Sequence, residues 1–65
     1  MIKNNKIIFD IMINGMWYAT ERLPFDKKYI VGENTKEPIY NDDLIMDWVE
    51  KRRPTLKRGK YKLCF

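Results

Sequence analysis

The sequence predicts a small α+β domain of order β-β-α-β, with a mainly antiparallel three-stranded sheet and one helix packed on one face. Three observations predict it. Apolar residues alternate up to an Asn14-Gly15 turn, a capped run with helical spacing begins at Asn41, and alternation returns from Lys60 to Phe65. A short strand at Tyr29-Ile30-Val31 would make the sheet four-stranded.

The hairpin spans residues 6–23. Ile7, Phe9, Ile11 and Ile13 share one face of its first strand, and Lys6, Ile8, Asp10 and Met12 the other. Asn14 and Gly15 both tolerate the positive φ of a type I′ turn. A two-residue turn pairs Ile13 with Met16, Met12 with Trp17, Ile11 with Tyr18 and Phe9 with Thr20. Met16 and Tyr18 then join the core face. Ile8, Met12, Trp17 and Ala19, with Asp10 and Glu21, form a second, mixed face.

Pro24 ends the hairpin, and residues 24–40 form a long connection expected to pack or to bind. The helix covers residues 41–53. Asn41 is its N-cap, Asp42 and Asp43 suit the positive end of the dipole, and Tyr40 with Ile45 forms a hydrophobic staple. Leu44, Ile45, Trp48 and Val49 make the apolar stripe, and Pro54 forbids continuation. The final strand, residues 60–65, sets Tyr61, Leu63 and Phe65 inward and lies antiparallel beside the first.

Sixty-five residues make a single domain, 1–65, near the lower limit for folding alone. One cysteine excludes an internal disulfide, so a partner subunit is the staple that remains. Its apolar runs are too short to span a membrane, and a lone thiol fits a reducing compartment, so a cytoplasmic location is expected.

The chain contains neither serine nor histidine. That removes the Ser-His triad, imidazole acid–base catalysis and the common zinc sites. Cys64 has no imidazole to activate it, and Asp42, Asp43, Asp47 and Glu50 fit helix capping and a solvated face. No glycine-rich phosphate loop exists. No enzyme activity, cofactor, metal or small-molecule substrate is expected.

Residues 1–50 carry six Lys/Arg and nine Asp/Glu, whereas residues 51–65 carry Lys51, Arg52, Arg53, Lys57, Arg58, Lys60 and Lys62 with no acid. Such a segment can contact phosphates with little sequence readout, and Tyr61 or Trp17, if exposed, adds base stacking. The plainer account is that these charges answer the helix dipole and protect a sheet edge.

The second candidate surface is Ile8, Met12, Trp17 and Ala19, because one helix covers only one sheet face. The long connection could fold over these residues through Phe25, Tyr29, Ile30, Val31 or Ile39. Otherwise they meet a protein partner or a second copy of the chain. Trp and Met are frequent anchors of such contacts. The reading placed first is therefore a binding module acting through protein contacts as an adaptor, inhibitor or homodimer. Nucleic-acid binding by the basic segment is the alternative.

The layout of Asn14-Gly15, an aromatic strand, the capped helix, Arg53-Pro54-Thr55-Leu56-Lys57 and a closing Tyr61-Lys62-Leu63-Cys64-Phe65 resembles short proteins encoded by phages and mobile elements of gut bacteria. The resemblance implies a bacterial or phage cytoplasmic setting and carries no activity or site residues.

Overall fold

The computed structural model describes residues 1–34 and 36–65. It is an α+β domain in which β1 (Ile2–Lys3), β2 (Lys6–Ile13), β3 (Met16–Pro24) and β6 (Lys62–Cys64) form one antiparallel sheet. A separate hairpin, β4 (Ile30–Asn34) and β5 (Glu37–Tyr40), precedes the helix α1 (Asp42–Arg52). Strand β2 is central. β3 lies on one side of it, and β1 and β6 share the other side end to end.

The fourth strand of the sheet thus comes from Ile2–Lys3 and not from Tyr29–Val31. Asn4 and Asn5, both at positive φ, close the β1–β2 turn because asparagine tolerates the left-handed region. Ile30 and Gly32 pair instead with Tyr40 and Ile39 before the helix, Val31 falls at the register shift between them, and Pro38 sits in that edge hairpin opposite Glu33.

The Asn14-Gly15 turn forms as its residues dictate, with φ of 54° and 75°. Ile13 faces Met16 and Met12 faces Trp17, but Ile11 then faces Ala19 and Phe9 faces Glu21. A β-bulge between Ile11 and Met12 leaves Tyr18 as the extra residue, so the expected pairings of Ile11 with Tyr18 and Phe9 with Thr20 do not occur. The reason is visible further along. A regular ladder would put Arg22 against the core and Leu23 in water, whereas the inserted residue sets buried Leu23 opposite Ile7. The same shift moves Ala19 and Glu21 onto the helix-covered face.

Asn41 caps the helix, its Oδ1 accepting from the Leu44 amide at 3.3 Å. Ile45 and Val49 are fully buried against Ile7, Phe9, Ile11 and Leu23, with Tyr29, Leu56 and Tyr61 closing the core. Trp48 meets Phe9 edge-on, and Phe65 bridges Phe9 to a stacked Tyr40. The connection contributes Tyr29 to this core, while Val31 and Ile39 stay exposed. Among the described residues no helix is long and apolar enough to cross a membrane.

Candidate functional site

The opposite sheet face is read directly from the strand register. Met12 pairs with Trp17 on one side and Lys62 on the other, which makes a Trp–Met–Lys row across three strands. The next row is Thr20, Asp10 and Cys64. Arg22 lies beside Ile8, and Lys6 lies between Pro24 and Lys3. The face therefore carries Lys3, Lys6, Arg22 and Lys62 against a single acid, Asp10.

That acid is not idle. Thr20 Oγ1 donates to Asp10 Oδ1 at 2.6 Å, and Trp17 Nε1 donates to Thr20 Oγ1 at 3.1 Å. The chain of bonds fixes the indole by its polar edge while the residue stays 63% exposed. Beside it, Met12, Asn14, Gly15, Gly59, Lys60 and Lys62 line an open cleft between the hairpin turn and the turn that precedes β6. Gly59, at φ of +88°, permits that turn.

Of the proposed hairpin-face residues, Ile8 and Met12 are half-buried and Trp17 is exposed on this face. Ala19 is not part of it, because the bulge turns it toward Ile11's side. Lys6 lies on this face with Ile8 and Met12 as the alternation predicts, whereas Lys3 and Arg22 were not anticipated there. Arg22 required knowledge of the bulge.

The seven basic residues of the C-terminal segment do not form one patch. Arg53 Nε donates to Glu21 Oε2 at 2.8 Å, and Arg52 approaches the same carboxylate at 3.7 Å. Arg58 reaches back over the helix to Asp47 at 2.7 Å, Glu50 at 2.6 Å and Asp43 at 3.4 Å. For the three arginines, the charge asymmetry of the sequence is thus intramolecular complementarity. The carboxylates along the helix serve as the receptor for Arg58. Lys51 and Lys57 are exposed outside the cleft lining, and Lys60 and Lys62 flank the cleft. Among the described residues, every ion pair uses an arginine and no lysine is engaged in one.

Tyr61 is buried, and its hydroxyl donates to Glu50 Oε2 at 2.5 Å, so it offers no ring for stacking. The Tyr61 and Arg58 hydrogen bonds hold the Glu50 carboxyl below its ordinary range. Burial, then the bond to Glu50, pushes the Tyr61 phenol up. Each shift has a sign for stability. The Glu50 contribution is complete above the ordinary glutamate value near 4.3 and is lost as pH falls through the lowered folded value. The Tyr61 contribution is complete below the ordinary tyrosine value of about 10 and is lost as pH rises beyond it. Melting temperature followed by circular dichroism should therefore drop at both extremes. Glu50→Gln should flatten the acid limb, and Tyr61→Phe the alkaline limb. Unchanged limbs would show that this cluster does not couple to folding.

No protein-family model, curated protein or solved structure matches the chain.

Proposed function

We propose that this chain is a non-enzymatic nucleic-acid-binding module whose working surface is the open sheet face rather than the whole basic segment. One observation carries the reading: exposed Trp17 stands in a row with Met12 and Lys62 on a face that holds four cations and one hydrogen-bonded acid. Cations gain affinity by releasing counterions from phosphates, and an exposed aromatic ring adds stacking. The absence of serine and histidine leaves little for catalysis to use. The phage or mobile-element resemblance supports a cytoplasmic setting, where such a partner is at hand.

The test is fluorescence anisotropy with labelled mixed-sequence DNA, single-stranded and duplex, across a salt series. Four cationic contacts predict a log–log salt slope of about −3 for single strands. Lys62→Glu and Arg22→Glu should each weaken binding on any sequence and flatten that slope by about one contact. No salt-sensitive binding to either form would sink the proposal.

A second reading, a protein partner, is favoured by Met16, Trp17 and Tyr18, three consecutive exposed apolar residues on the edge strand β3. Such a partner would be foreign and acidic. A second copy docked face to face would set Lys3, Lys6, Arg22 and Lys62 against their own equivalents, which is unfavourable. Light scattering tests that exclusion, since a salt-independent dimer lost in Trp17→Ala would replace both the foreign partner and nucleic acid with self-association.

A further inference from the structure

Resting on the nucleic-acid reading, we infer that the ligand is single-stranded, with an unpaired base stacked on Trp17 and neighbouring phosphates held by Lys62 and Lys60 across the cleft and by Arg22 along the sheet. Three features of the molecule select a single strand over a duplex.

The first is the helix. Duplex readers commonly lay a helix in the major groove. The first two turns of α1 expose Asp42, Asp43 and Asp47, with Glu50 beyond them; Arg58 answers three of these four acids, and Lys51 and Arg52 are confined to the last turn. That surface would repel phosphates.

The second is the width of the sheet. A major groove about 12 Å wide admits a helix or a two-stranded ribbon. The β2–β3 hairpin is not a free ribbon, because β1 and β6 pair along the far side of β2. Three strands span about 10 Å between backbone axes before side chains are added. The sheet meets a duplex only at its phosphates, where Trp17 has no partner.

The third is the ring itself. Trp17 is anchored through Nε1 to Thr20 and shares its row with Met12, so the indole is held in place before any ligand arrives. A fixed exposed ring suits a base that is already unstacked, and pre-ordering reduces the entropy lost on binding. Lys62 lies two strands away in the same row, and Arg22 lies beside Ile8, about 13 Å along β2 from Met12. Cations therefore flank the ring both across the sheet and along it, as a backbone passing over the ring requires.

The experiment uses oligodeoxythymidylate and a duplex of equal length at low salt, read by intrinsic tryptophan fluorescence and by anisotropy. Quenching and tighter binding are expected with the single strand only. Trp17→Ala should abolish the quenching, leaving the Trp48 signal unchanged, and weaken single-strand binding roughly tenfold or more without altering the salt slope. Trp17→Phe should recover part of the affinity, and unchanged circular dichroism of both variants excludes misfolding. Equal or tighter binding of the duplex, with Trp17 unquenched, would overturn this inference while leaving the nucleic-acid reading intact. Failure to bind either form would overturn both, as would a dimer that buries Trp17.

Discussion

Arg53→Ala is expected to lower the unfolding free energy by about 3 kcal/mol, whereas Glu21→Leu should cost far less. Both residues belong to one ion pair, yet they sit in different surroundings. Glu21 lies on the core face, opposite Phe9, and is only 5% exposed. Arg53 is at the helix C-cap with a third of its side chain in water. Removing the arginine strands a carboxylate among apolar side chains, with only Arg52 at 3.7 Å to compensate. Breaking a buried pair in this way costs about 3–5 kcal/mol, and the residual Arg52 contact and solvent access place the estimate at the low end. Removing the glutamate puts an apolar group where the facing residue, Phe9, is apolar, and Arg53 can turn outward. It then keeps its position near the Tyr18 ring. Urea unfolding of both variants, with the double variant closing the cycle, measures this directly. Equal losses in the two single variants would show that the pair is not buried in the sense argued. A domain of this size holds only about 3–10 kcal/mol in all, so Arg53→Ala should be visibly unstable at room temperature.

That buried pair also marks the limit of what sequence alone reveals. The Asn14-Gly15 turn, the Asn41 cap and the inward set of Ile7, Phe9 and Ile11 follow from local chemistry and are present in the fold. Local rules cannot see the bulge at Tyr18, because either register is acceptable until Leu23 must be buried. The polarity of the strand's second half contains the clue. Arg22 and Leu23 exchange faces only if one residue is inserted. The Asn4-Asn5 turn was likewise legible in principle, since two adjacent asparagines between extended segments suit a tight reversal. The C-terminal charge was plainly visible, but its role was not. Arg58 reaches carboxylates eight to fifteen residues away, and Arg53 reaches one thirty-two away. No linear window contains such pairs. The candidate site shares this character. Trp17, Met12 and Lys62 come from three strands, and only the register makes them neighbours.

Phe9→Ala is the second large loss to be expected, about 3–5 kcal/mol, and it should abolish cooperative melting. The ring is 2% exposed at the centre of β2 and meets aromatic rings from two other parts of the chain. Trp48 of the helix meets it edge-on at 6.4 Å, and Phe65 lies 5.5 Å away, itself stacked on Tyr40. Alanine would leave a void between the helix and the chain's closing residues, and so thin a core has little nearby apolar mass to collapse into it. On the other side of the same sheet, Trp17→Ala removes a larger side chain yet should change stability by no more than about 0.5 kcal/mol. Its ring is mostly in water, and Thr20 keeps its bond to Asp10. Thermal melts of the two variants, run side by side, test this division. If Trp17→Ala also abolished the transition, the outer face would be structural, and its exposed ring and cations would lose their claim to be a binding surface.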